Sequence, residues 1–190
     1  KYPNMKKIIT VMIISILAVG SLSAQKYFTK TGTIEFDATT SSSPEKIEGT
    51  NRSATCVVDT KSGAIQFAVL MKGFAFERAL MEEHFNENYV ESHKFPKSEF
   101  KGKLKDLEQI DFTKDGTHTV KVKGDLTMHG QTKEVETTGK LVIQGGKISA
   151  NATFNVKLSD FDISIPGLVA DKVAKIAKIT VACSLEPLKN

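Results

Sequence analysis

The side chains capable of catalysis or metal binding are few. His84 and His93 lie near Glu82, Glu83 and Glu91, a composition that suits a metal ion or an acid/base pair. The spacing fits no metal motif such as H-E-x-x-H. A helix through this stretch places His84 among solvated acids. His118 opens a strand-like run and His129 closes it at a turn, and neither has a Ser, Cys or Asp partner in a nucleophile motif. Glu134 and Glu136 alternate to the polar side, as do Lys101, Lys103 and Lys105, a basic row without interleaved aromatics that reads as a solvated strand surface. Nothing resembles a phosphate loop or a dinucleotide fingerprint. No catalytic residue, metal ligand or cofactor site is expected, and the chain does not read as an enzyme.

Cys56 and Cys183 are the only cysteines. Alternation puts both on apolar faces, Cys56 between Ala54 and Val58, Cys183 between Val181 and Leu185. Two readings stay open: a disulfide, if their strands approach, and two buried thiols acting as small hydrophobes.

The elements that hold these residues are strands. Val120, Val122, Leu126 and Met128 face one way, opposite Thr119, Lys121, Lys123, Asp125 and Thr127. Val135, Leu141 and Ile143 repeat the pattern, and so do Ile148, Ala150, Ala152, Phe154, Val156 and Leu158. This period of two is the signature of strands with one buried face. Gly145-Gly146 marks a two-residue hairpin, and Ser62-Gly63, Asp115-Gly116 and Gly130 mark further turns. Further strands are expected near 26–38, 47–59, 64–73, 98–107 and 175–186, about eight antiparallel strands in all. They build either a sandwich or a closed barrel. Small or polar inward residues (Gly102, Gly124, Gly139, Ala150, Ala152, Thr137) suit a hollow barrel, although glycines also mark bends. Residues 76–88 read as a short amphipathic helix that covers one end. Ile165-Pro166-Gly167 ends a strand, and 168–174 allows a turn or two of helix.

The 190 residues suit one ordinary domain, and 40% hydrophobic with 25% charged residues is globular composition. Residues 1–24 read as an export signal: Lys6-Lys7, an apolar run from Ile8 to Val19, then small residues to Ala24. Met5 reads as the start, Lys1 to Asn4 as upstream sequence, and cleavage falls before Gln25. The run of about a dozen apolar residues is short of the roughly 20 a spanning helix needs. Without this segment the formal charge falls from +4 to +1. That gives no electrostatic reason to expect nucleic acid or strong attraction to an anionic membrane. Residues 25–190 are expected as a periplasmic or secreted body with no stable membrane insertion.

Three segments resemble the YceI-like proteins. Phe95-Pro96-Lys97-Ser98-Glu99-Phe100 follows a helix ending in His84-Phe85-Asn86. Gly124-Asp125-Leu126-Thr127-Met128-His129-Gly130, with Thr132-Lys133, is similar to the family's G-x-L-T-x-H-G-x-T-K signature. FNVKLSDFDI, residues 154–163, is similar to its late strand. The resemblance covers roughly residues 26–188 and departs from the family pattern at 39–47 (TTSSSPEKI). It implies an all-β, eight-stranded antiparallel lipocalin-like barrel with a short amphipathic helix and a central apolar cavity. The implied ligand is a polyisoprenoid or similar amphipathic lipid, a polyprenyl phosphate or an isoprenoid quinone.

The inward apolar positions then become candidate cavity lining: Phe36, Phe67, Val69, Phe100, Leu104, Val122, Leu126, Leu141, Ala150, Ala152 and Phe154. Phe76, Leu80 and Phe85 of the helix are candidates for an end wall. Two alternatives stand beside a lipid carrier. One is a filled barrel that binds another envelope protein through its surface. The other is an enzyme acting on a prenyl lipid, with His129 or His84 as base.

Overall fold

The alternating segments form eight long strands: β1 (Lys26–Thr39), β2 (Glu48–Asp59), β3 (Ala64–Leu70), β5 (Lys97–Leu104), β6 (Gly116–Met128), β7 (Gln131–Gln144), β8 (Lys147–Lys157) and β9 (Val173–Pro187). A two-residue strand, β4 (Ala75–Phe76), adds to β2. The computed structural model describes residues 26–188. The export signal expected over residues 1–24 lies outside the described residues.

Every pairing is antiparallel, in the order β1-β9-β8-β7-β6-β5-β3-β2, and β2 pairs back onto β1. The sheet is therefore a closed barrel rather than a sandwich. Closure removes the exposed edges that an open sheet would leave. Gly145-Gly146, with φ of 56° and 75°, makes the β7–β8 hairpin, left-handed backbone that glycine adopts without strain.

Four boundaries differ from the sequence expectation: β5 ends at Leu104 rather than near 107, where a 3-10 turn (Leu107–Gln109) follows, and three others each have a local reason. β3 stops at Leu70, where the buried Asn51 side chain takes over: its Nδ2 donates to the Leu70 carbonyl at 2.9 Å and its Oδ1 accepts from the Ser53 amide at 2.8 Å. The helix α1 (Ala79–His84) begins three residues later than its periodicity suggests, because Phe76 is drawn into pairing with Gly49. A single π-turn (Phe85–Tyr89) continues it. The 168–174 stretch is a 3-10 turn at Gly167–Val169, and β9 already starts at Val173.

The two ends of the barrel differ. At one end the connections 60–63 and 145–146 are tight, and Val58, Ile148 and Leu185 are fully buried beside Tyr27 and Ile143. That packing makes a floor. The β5–β6 connection, residues 105–115, also lies at that end and packs Leu107, Ile110 and Phe112 on the core. At the other end lie the connections 40–47, 71–96 and 158–172, with α1 among them. No helix among the described residues is long and apolar enough to cross a membrane.

Candidate functional site

Above the floor the barrel is hollow. A cavity of about 480 Å³ runs up to the end that carries α1. Its wall is built by the inward positions of the long strands, since alternate residues of a strand face one side. The structure brings together all fourteen candidate lining residues. Phe36 comes from β1, Phe67 and Val69 from β3, Phe100 and Leu104 from β5, Val122 and Leu126 from β6, and Leu141 from β7. Ala150, Ala152 and Phe154 come from β8, and Phe76, Leu80 and Phe85 close the upper end. Phe85 is the hub of that closure, with ring centroids 4.9 Å from Phe76, 5.4 Å from Phe74 and 5.6 Å from Phe36. These tilted contacts are the offset geometry aromatic pairs favour.

The small inward residues divide in two. Gly139, Ala150, Ala152 and Thr137 border the cavity, so their size does leave space. Gly102 and Gly124 do not border it. They face each other across β5 and β6, and a methyl on Gly124 would overlap the Gly102 Cα and the Lys101 carbonyl. The Phe100 ring lies over Gly102. These two glycines serve close strand approach and let an aromatic lie flat against the wall.

β7 and β8 pair only from Gly139/Ala152 to Gln144/Lys147. Above that point they part, and the Thr137 hydroxyl donates to the Thr153 carbonyl at 3.2 Å across the seam. Exposed Lys140 and Asn151 reach the cavity edge here.

The mouth is polar, and most of it was invisible in the sequence. The stretch 39–47 forms one lip. Glu45 pairs there with the Arg78 guanidinium, 33 residues away. The same lip is latched on its other side: the Thr40 hydroxyl donates to the Asp171 carbonyl at 2.8 Å and the Ser43 hydroxyl to the Lys172 carbonyl at 2.6 Å. Arg78, His84 and Lys172 all border the opening. Tyr89 also lines the cavity, and burial pushes its phenol up from the ordinary value. No local pattern could have paired residues so far apart. Ile34, Ile179 and Val181 on β1 and β9 are apolar wall positions that the same alternation argument would have found.

His129 is not a base for chemistry in this cavity. Its Nδ1 donates to the Phe161 carbonyl at 2.8 Å, its Nε2 faces Glu91 Oε2 at 3.1 Å, and the Phe95 ring packs edge-on at 4.6 Å. It does not border the cavity. His84 does, but exposed at the mouth; His93 is exposed and His118 lies by Gly116, away from the cavity. Among the described residues, no three His, Cys, Asp or Glu side chains gather as a metal site.

Cys56 and Cys183 sit on β2 and β9, the two neighbours of β1, and their side chains meet across Gly32, where β1 bulges. A methyl at Gly32 would press on the Cys183 sulfur at 2.7 Å. The structure holds them as buried free thiols. Their shared hydrogen bond, together with burial, keeps the Cys56 thiol protonated far above the ordinary thiol range, and the same bond lowers Cys183.

A closed antiparallel barrel with an apolar interior and a polar, helix-capped mouth defines a ligand-binding barrel of the lipocalin-like kind. A model of the YceI-like domain matches residues 20–185, and the chain belongs to that family. The barrel is similar to a polyisoprenoid binding domain from Saccharophagus degradans implicated in plant cell wall breakdown. That likeness has a TM-score of 0.75 at 10% identity, over 87% of this chain and 99% of the other. It is also similar to BcnA of Burkholderia cenocepacia (TM-score 0.65, 14% identity, 81% and 95% covered). The Campylobacter jejuni YceI protein follows with TM-score 0.56 at 18% identity, 77% and 87% covered. At such identities the likeness speaks for the fold. Comparison with curated protein sequences finds no significant match.

Proposed function

We propose that this protein binds a polyisoprenoid or similar amphipathic lipid in the barrel and sequesters or carries it, without catalysis, in the periplasm or another exported setting. The observation that carries the reading is the apolar cavity of about 480 Å³ with a polar mouth. An apolar cavity left without an occupant forfeits the packing contacts that a filled core would make, and that loss counts against the fold. A ligand that fills the space offsets that cost. The volume also lies within the range of about 300–1,000 Å³ usual for small-molecule sites.

Each CH₂ removed from water contributes about 0.8 kcal/mol, so three or four isoprene units supply ample affinity. The chain then provides binding strength and the mouth provides selection. Arg78, His84 and Lys172 stand where a head group would emerge, a quinone or a polyprenyl phosphate by class. The polyisoprenoid-binding name of the Saccharophagus neighbour and the export signal expected over residues 1–24 support the same reading. A filled barrel acting only through its surface would need a dense interior.

The test is Ala152→Phe, which places a ring in the cavity from β8. The expected result is loss of polyprenol uptake with the fold intact. A variant that takes up polyprenol normally, or that is destabilised by the roughly 1–3 kcal/mol of an overpacked core, contradicts the proposal.

A further inference from the structure

Leu168 is 91% exposed, the most exposed large apolar side chain among the described residues, and it stands at the barrel end where the cavity opens. It follows Pro166-Gly167, and its neighbour Val169 borders the cavity. Ile176, 55% exposed, closes the same segment. Across the mouth, Leu80 is 60% exposed at the start of α1. The 40–47 lip joins the two sides, bonded to Asp171 and Lys172 on one and to Arg78 on the other. Water-facing leucines are ordinary when scattered; two that flank one apolar opening are not scattered.

The charges are distributed unevenly around the opening. Segment 166–176 carries Lys172 and Lys175, both exposed, against the single acid Asp171. On the α1 side Arg78 is paired with Glu45, and Glu77, Glu82 and Glu83 add acidic charge on either side of it in the chain. A net charge of +1 outside the first 24 residues hides this local contrast.

Resting on the lipid-binding reading, we propose that the protein docks on an anionic lipid bilayer with segment 166–176 leading. Leu168 enters the acyl boundary, Lys172 and Lys175 meet anionic head groups, and the cavity mouth faces the membrane. The chemistry of the cargo requires such a contact. A prenyl chain is scarcely soluble in water, so it exchanges fastest where the mouth and the bilayer exclude water between them. The two lysines supply electrostatic attraction to an anionic surface, and one leucine supplies the apolar anchor.

The experiment compares wild type with Leu168→Ser and Lys175→Glu, neither of which lines the cavity. Flotation is measured with vesicles of phosphatidylethanolamine alone and with added phosphatidylglycerol. Uptake of a long-chain polyprenol is measured from those vesicles and, separately, from detergent. The expected result is flotation that depends on phosphatidylglycerol, lost by about tenfold or more in Leu168→Ser, with vesicle uptake slowed in parallel. Uptake from detergent stays at the wild-type level in both variants. Variants that extract polyprenol from vesicles as fast as wild type overturn the docking proposal and leave the lipid-binding reading standing. A wild type that never floats overturns it too, and makes a protein or a second copy the occupant of this face. A wild type that takes up no polyprenol from detergent overturns the lipid-binding reading, and the docking proposal falls with it.

Discussion

The imidazole of His129 bridges two segments that the chain separates widely: its Nδ1 donates to the Phe161 carbonyl at 2.8 Å while its Nε2 meets Glu91 Oε2 at 3.1 Å. Around it the backbone turns left-handed at four places, Glu91 (φ 43°), His129 (51°), Gly130 (76°) and Asp162 (55°). Asp162 is held in turn by the Gln131 amide at 2.6 Å. Left-handed backbone is costly for residues other than glycine, so the contacts of this clasp must hold it. The clasp ties the segment after α1, the β6–β7 turn and the turn after β8 into one rim. It is therefore a positioning device for the cavity's upper end.

Removing the ring should loosen that rim. His129→Ala leaves the buried Phe161 carbonyl without its donor and Glu91 with Lys94 alone, and the expected loss is about 1–3 kcal/mol. Chemical denaturation checks it. A wild-type midpoint in the variant would show that the ring holds nothing.

The carboxylate gives the clasp a pH dependence. Lys94 and then His129 hold the Glu91 carboxyl below its ordinary value of 4.5 by hydrogen bonding. A depressed acid stabilises the fold above its unfolded value and loses that contribution as the pH falls through its folded one. Glu91→Gln should therefore melt below wild type at neutral pH, and the two curves should converge in acid below about 4.5. Melting curves across that range decide it; a gap that persists undiminished in acid would contradict the assignment.

The aromatic hub predicts a large effect at one position. Phe85 is 6% exposed and touches Phe36, Phe74 and Phe76. Phe85→Ala should cost about 3–5 kcal/mol, measured by denaturant unfolding. A cost below about 1 kcal/mol would mean that the upper end collapses to fill the gap.

Glycines at two sites should answer oppositely to the same methyl. Gly124→Ala drives a Cβ into the backbone of β5, which cannot yield as a side chain can, and should cost about 3 kcal/mol or more. Gly167→Ala meets nothing within 4 Å and should be neutral or stabilising by up to about 1 kcal/mol. Equal melting temperatures for the two variants would contradict the close approach of β5 and β6.

The paired thiols make a labelling prediction. Both are buried, so neither should react with a maleimide in the folded protein. Unfolding without reductant should release two reactive thiols. Absence of reaction after unfolding would instead reveal the disulfide that the inward pattern also allows.

Much of this architecture was legible because a strand writes its burial into every second residue. Val122, Leu141 and Ala152 could be placed on an inner face with no knowledge of their neighbours. Alternation does not say whether opposite faces meet or stand apart, so closure and hollowness needed the structure. Gly102 and Gly139 illustrate the limit: both are small and inward, yet one lets β5 and β6 touch and the other borders the cavity. The mouth was illegible for a different reason. Glu45 and Arg78, and Glu91 and His129, are joined only by tertiary proximity, and no short-range pattern encodes such pairs.

The central claim, a lipid inside the barrel, is tested most directly by mass spectrometry of the organic extract of protein purified without detergent from cells that export it. The account predicts a stoichiometric prenyl lipid, whose mass also names the head group facing Arg78 and Lys172. A clean extract, from protein that also fails to take up added polyprenol, would contradict it.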